Sequence, residues 1–209
     1  MSGDNVSRGE LTVLAVCTAN MCRSVHTELR IRSLAADLPL SVSSAGVNTE
    51  PGEAACPQAT DSPQTHRSRQ IDDDLLEAAD LVLVMESAHK SRIVREHVRA
   101  RRKVFKVAEA QRLFTAVVAE LAVVRGGGES EWLQVPADFD SLSHHARLLW
   151  LVDEAHNARE YLVESDPDMT DTHGVPGVTH RGIYALLDQN LEKILGSLRT
   201  LSPTVESKG

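Results

Sequence analysis

One segment of this chain carries residue types whose spacing could do chemistry. It is Cys17-Thr18-Ala19-Asn20-Met21-Cys22-Arg23, a cysteine followed after five residues by an arginine, with Ser24 next. Small and polar residues between the two ends let the backbone N–H groups turn inward as a nest for an anion. The N-terminus of a following helix adds partial positive charge. Arg23 can hold two oxygens of a phosphate at once through its planar fork. Positive surroundings favour the thiolate form of a cysteine, so Cys17 is placed for in-line attack at the phosphorus of a group bound by Thr18, Ala19, Asn20, Met21, Cys22 and Arg23. Ser24 can donate its hydroxyl to the sulfur, and Asn20 can brace the loop. Such a loop neutralises an oxyanion without a metal. It also lacks the Gly-Lys-Ser/Thr ending of a nucleotide-binding loop. The spacing alone also occurs by chance, and a cysteine at a strand end is often only a small hydrophobe. The elements around the pair decide how it reads.

Those elements alternate between strands and helices. Leu11 to Val16 is a short apolar run ended by Cys17, the pattern of a strand buried on both faces. A helix is predicted from about Ser24 to Asp37, with Ile31, Leu34, Ala35 and Leu38 on one stripe. Leu40–Ser44, Leu81–Met85 and Lys103–Val107 read as further strands. Helices are predicted over Ser87–His97, along the stripe Ala110 to Leu121, from His144 to Leu162, and from near Gly177 through Ile183, Leu187, Leu191, Ile194 and Leu198. This order predicts an α/β fold: three layers, a four-stranded parallel sheet flanked by helices. Ligands bind such sheets at the carboxyl ends of the strands, which is where Cys17 falls.

Composition narrows the classes. The 209 residues carry 22 Lys+Arg and 30 Asp+Glu, a formal net charge of −8, with 42% hydrophobic and 25% charged residues. That suits a folded core, and no apolar run approaches the roughly 18 residues of a membrane span. An acidic chain with 3% aromatics is a poor nucleic-acid binder. Three cysteines do not make a disulfide framework. The expectation is a cytoplasmic monomer without nucleic-acid or membrane partners, without a cofactor, and without a metal, since the nine histidines show no ligand cluster along the chain.

Val16 to Ser24 resembles the N-terminal signature of the low-molecular-weight protein tyrosine phosphatases. Three further segments are similar in the same order: Ser44-Ala45-Gly46 to the family's turn after the second strand, Thr65 to Ile71 to its His-x-(Ala/Ser)-Arg-x-(Ile/Leu) segment, and Ala79 to Met85 to its third-strand segment. The resemblance implies a phosphatase-I-like fold and hydrolysis of a phosphomonoester through a phosphocysteine on Cys17. The substrate it implies is a phosphorylated protein, phosphotyrosine first, or a small phosphomonoester. By the same resemblance His66 supports Asn20, and Cys22 can form a protective disulfide with Cys17; the other reading of Cys22 is a buried loop residue with no redox role. Two departures stand in the signature. Ala19 replaces a glycine, costly if its φ is positive, and Val25 replaces a proline that would preorganise the helix.

The resemblance also implies an aspartate acid on a loop before the last helix. Asp171 is favoured, because Asp168 to Gly174 resembles the pattern Asp-(Ile/Val)-x-Asp-Pro-aromatic-Gly with threonine for proline. Asp166, followed by Pro167, is the alternative, and Asp168 lies between them. Other readings are an arsenate reductase using an external thiol, since residues 80–100 hold no cysteine for an internal thiol cascade, and a weakly catalytic phosphate-binding regulator. The chain is expected to form a single domain, 1–209, with a helical insertion at 108–164 and a tail at 202–209. The insertion is either a hairpin covering an edge or a lid carrying Trp132 or Phe139 over the phosphate pocket. Aromatic walls for a phenyl ring are thin near Val47–Gly52 and after Asp171.

Overall fold

Four short strands pair side by side in a computed structural model that describes residues 9–173, 175 and 177–202. The N-terminal octapeptide, the tail from 203 and Gly174 of the acid-loop pattern lie outside the described residues. The strands are β1 (Leu11–Cys17), β2 (Leu40–Gly46), β3 (Leu81–Val84) and β4 (Val104–Lys106), all parallel, in the order β2-β1-β3-β4. Registers run from Leu11 opposite Leu40 to Cys17 opposite Gly46, and from Val13 opposite Leu81 to Val16 opposite Val84. The carboxyl ends of β1, β2 and β3 therefore lie level.

Alternation along the strands sends side chains to opposite faces, and both faces are buried. Val13, Ala15, Leu81, Leu83 and Phe105 meet α1 (Arg23–Leu34), α4 (Val107–Arg125), α5 (His144–Asn157) and α6 (His180–Thr200). Leu14, Val16, Val82, Val84 and Val104 meet the smaller α2 (Asp73–Ala78) and α3 (Ser87–Glu96) through Leu76 and Ile93. Three layers result, as the strand and helix order predicts. The α6 stripe of Ile183, Leu187, Leu191, Ile194 and Leu198 is buried against α1 and α4. Asp72 caps α2 by accepting from the Leu75 N–H at 2.8 Å. No helix among the described residues is long and apolar enough to cross a membrane.

Two expectations change. The last helix starts at His180 rather than near Gly177, because Gly177 sits at φ +80° and Thr179 caps the helix by accepting from Gly182 N at 3.1 Å. Neither Trp132 nor Phe139 reaches the phosphate pocket. Phe139 is buried edge-on against Trp150 of α5, with ring centroids 4.7 Å apart, and Trp132 lies beside Tyr161. Segment 108–164 supplies α4 and α5, which share one core with the sheet; Leu113, Phe114, Leu148 and Leu151 are fully buried there.

Candidate active site

The loop from Cys17 to Arg23 joins β1 to the N-terminus of α1 and is held from every side. Asn20 sits at φ +54°, the left-handed region that asparagine tolerates better than most residues. Its amide nitrogen donates to Ser24 Oγ at 3.1 Å and Ser44 Oγ at 2.9 Å, and its side-chain oxygen accepts from Arg69 N–H at 3.0 Å. His66 Nε2 meets the Asn20 carbonyl oxygen at 2.8 Å. Ser68–Ile71 runs beside β2, where Gly46 N–H donates to Arg69 O and Ile71 N–H to Gly46 O, and this brings His66 and Arg69 to the loop. Gly46 is needed for close approach: a Cβ there would lie 2.5 Å from Thr18 O and 2.8 Å from Asn20 N. The concern over Ala19 falls away, because the left-handed residue of the loop is Asn20. Val25 is buried and packs in the core beneath the loop.

At the centre, Cys17 Sγ shares a 3.0 Å hydrogen bond with Ser24 Oγ, and both are buried. Arg23 is 2% exposed and fully engaged. Its Nη1 donates to Met169 O at 2.7 Å and to Glu86, and its Nη2 donates to Asp171 Oδ2 at 2.6 Å and Thr18 Oγ1 at 3.4 Å. A guanidinium buried with a single carboxylate partner would be costly, and two carboxylates, a carbonyl and a hydroxyl compensate. His89 of α3 meets Thr18 Oγ1 at 3.0 Å; burial holds its imidazole below the ordinary range, against the pull of Glu86, so it is neutral at neutral pH.

The acid loop is strapped to the end of β3 by Met169 N–H donating to Met85 O at 2.7 Å. The three candidate aspartates separate there. Asp166 is gripped by Arg112 of α4, with Nε and Nη2 both at 2.8 Å, and does not line Cys17's cavity. Asp168 accepts from Ser87 and Lys106; burial opposes its ionisation, but these donors outweigh it and hold its carboxyl below the usual range. Asp171 lines the cavity of about 320 Å³ that also contains Cys17 and Arg23. Ala19, Met21, Ala55 and Pro57 make its wall largely aliphatic, with His173 at the acid-loop side.

Thr18, Asn20 and Ser24 thus come together with Cys17 and Arg23, while Ala19, Met21 and Cys22 face the same cavity. Sequence reasoning missed Glu86, His89 and the Met169 carbonyl. The signal for Glu86 and His89 is position, since both follow the end of β3 beside β1; the Met169 carbonyl, in the acid loop, has none. All three cysteines are free thiols, Cys17 and Cys22 included. Burial, reinforced by the neighbouring Cys56, pushes the Cys22 thiol upward. The expectation of no metal-ligand cluster needs correcting: the fold gathers Cys22, Cys56, His173 and His180, dispersed along the chain, beside this cavity.

A family model described as low molecular weight phosphotyrosine protein phosphatase matches residues 12–120. A protein-arginine-phosphatase of Bacillus subtilis (strain 168) is 36% identical over 107 residues, 47% of this chain and 71% of that protein. A probable low molecular weight protein-tyrosine-phosphatase EpsP of Ralstonia nicotianae is 34% identical over 108 residues, 48% of this chain and 72% of its own. The crystal structure of a YwlE mutant from Bacillus subtilis has the same fold, with TM-score 0.59 and 23% identity over 91% of this chain and 99% of that one.

Proposed function

Because the chain belongs to the low-molecular-weight phosphotyrosine protein phosphatase family, we propose that Cys17, Arg23 and Asp171 are the residues with which it hydrolyses phosphorylated side chains of proteins. The observation that carries this assignment is the hydrogen bond of Asp171 to the guanidinium of Arg23, in a cavity that Cys17 also lines. A phosphoryl group entering the cavity takes over the donors of Arg23, and the amides of residues 18–23 hold its remaining oxygens. Asp171, displaced from Arg23 and set beside the phosphate, takes up a proton from solvent and then stands next to the leaving atom.

In the first step the Cys17 thiolate attacks phosphorus, with Ser24 donating to the sulfur. The S–P bond forms, the P–O bond to the side chain breaks, and Asp171 delivers its proton to the departing oxygen. In the second step water attacks phosphorus and loses a proton to Asp171, and the S–P bond breaks. Inorganic phosphate leaves, and Cys17 is a thiolate again. His66, Asn20 and Gly46 act by holding the loop in shape. Three free thiols suit the reducing cytoplasm, where we place the protein as a monomer.

Phosphotyrosine is the leading substrate, its ring lying against Met21, Ala55 and Pro57. Phosphoarginine is the second reading, favoured by the aliphatic wall and by the name of the Bacillus subtilis relative. Purified protein is offered an aryl phosphate, a phosphotyrosyl peptide and a phosphoarginyl peptide, with arsenate and a thiol as a fourth arm. Turnover of phosphopeptide that disappears in Cys17→Ser supports the assignment, and the preferred peptide names the substrate. Turnover of arsenate alone overturns it.

A further inference from the structure

Four metal-ligating side chains from four separate stretches converge at the rim of this cavity. Cys22 precedes Arg23 at the start of α1, Cys56 lies in the loop after β2, His173 follows Asp171, and His180 opens α6. One donor atom of each lies within 4.8 Å of all the others. Cys22 Sγ is 3.2 Å from His173 Nε2, and Cys56 Sγ is 3.6 Å from His180 Nε2. The Cys56 loop is tied to the phosphate-binding loop by Cys56 N–H donating to Met21 O at 2.9 Å, so the two sulfurs come from anchored backbone.

Two thiolates and two imidazoles are the donor set of tetrahedral Zn²⁺. With Zn–S about 2.3 Å and Zn–N about 2.0–2.1 Å, the edges of such a tetrahedron are roughly 3.3–3.8 Å. The Cys56–His180 separation falls in that range and the Cys22–His173 separation just under it. A pair at the 4.8 Å limit closes by roughly 1 Å. The two rings stand edge to face at 76°, with centroids 5.1 Å apart, so they approach without stacking.

We propose that Cys22, Cys56, His173 and His180 form a Zn²⁺ site at the rim of the cavity. Binding deprotonates the two thiols and releases both protons to solvent. The two thiolate charges balance the ion, and two hydrogen bonds give way to metal bonds: Thr172 Oγ1 to His180 Nε2, 2.9 Å long, and the Cys56 thiol donating to Gln58 Oε1 at 2.7 Å. The ion ties the acid loop, two residues beyond Asp171, to the phosphate-binding loop next to Arg23. It also engages the Cys22 sulfur. The site stands on these four donors and not on the reaction assigned to Cys17, and its test does not read turnover.

The full chain, stripped with a chelator under reducing conditions, is titrated with Co²⁺ and followed by visible and near-ultraviolet absorption. The expected result is one Co²⁺ per chain, with intense tetrahedral d–d bands and sulfur-to-cobalt charge transfer, all displaced by Zn²⁺. Cys56→Ser should lose about half of the charge-transfer intensity, one of two thiolates, and His180→Gln should lose the tetrahedral spectrum. Cys17→Ser should keep both. Circular dichroism of the variants establishes that they are folded, and the wild-type stoichiometry and spectrum stand without any variant. Absence of thiolate bands in the wild type overturns the site, as does a spectrum lost in Cys17→Ser but intact in folded Cys56→Ser.

Discussion

Asp171 Oδ2 lies 2.6 Å from Arg23 Nη2, so the proposed acid and the proposed phosphate clamp occupy one another until a phosphoryl group arrives. Phosphate must compete with this carboxylate for the guanidinium, and the two anions repel once both are present. Asp171→Asn is therefore expected to divide two quantities. Turnover of a substrate with a poor leaving group should fall by roughly 10²–10⁴-fold, while inhibition by inorganic phosphate should become tighter. Asp166→Asn should instead leave turnover within a few-fold of wild type, because that carboxylate serves Arg112. Steady-state kinetics with a phosphate inhibition series reads both. The opposite pattern would make Asp166 the acid.

Gly46 carries the second prediction. Gly46→Ala places a methyl group against Thr18 O and Asn20 N, both backbone atoms of the loop that cannot rotate away. Overpacking of this kind costs about 1–3 kcal/mol. Here it should appear as phosphate affinity weakened by about tenfold or more, with the strands still folded. Calorimetric titration of phosphate checks it.

The third concerns the core. Leu187 of α6 is fully buried between α1 and α4. Leu187→Ala should destabilise the fold by about 2–5 kcal/mol, the range for removing a buried leucine side chain. Urea denaturation should show a lower midpoint. Activity well below the transition should be retained, since no atom of Leu187 lines the cavity.

His156 gives a pH dependence. Burial, with Arg159 and Arg102 nearby, lowers its imidazole to about 4 in the folded chain, from an ordinary value of 6.5. The folded state then binds fewer protons than the unfolded state between these values, so stability rises with pH across that window. Acidification from 6.5 toward 4 should lower the unfolding midpoint progressively, and below about 4 this contribution should flatten. In His156→Gln this part of the slope should vanish. An unchanged slope would place the titration elsewhere.

Strands are the most legible part of the fold, because β1 and β3 are buried on both faces and read as short apolar runs, interrupted only by Thr12. The α6 stripe was legible for the matching reason at helical spacing. Cys17, Arg23 and Asn20 could be recognised because their work is done within one short loop. Glu86 and His89 could not, because their meaning depends on β3 ending beside β1, a long-range register. Cys56 and His180 are separated by more than a hundred residues and acquire neighbours only when the acid loop folds over β3. Trp132 and Phe139 make no lid: Phe139 packs edge-on against Trp150 of α5, and Trp132 lies half-buried beside Tyr161.

A covalent phosphocysteine on Cys17 is the step on which the proposed hydrolysis turns. It is read most directly by rapid quenching during turnover of an aryl phosphate, followed by phosphorus NMR and peptide mapping of the trapped protein. A phosphorus–sulfur species should be confined to the peptide that contains Cys17 and be absent in Cys17→Ser. Turnover that persists in Cys17→Ser, or phosphate found on another residue, would contradict it.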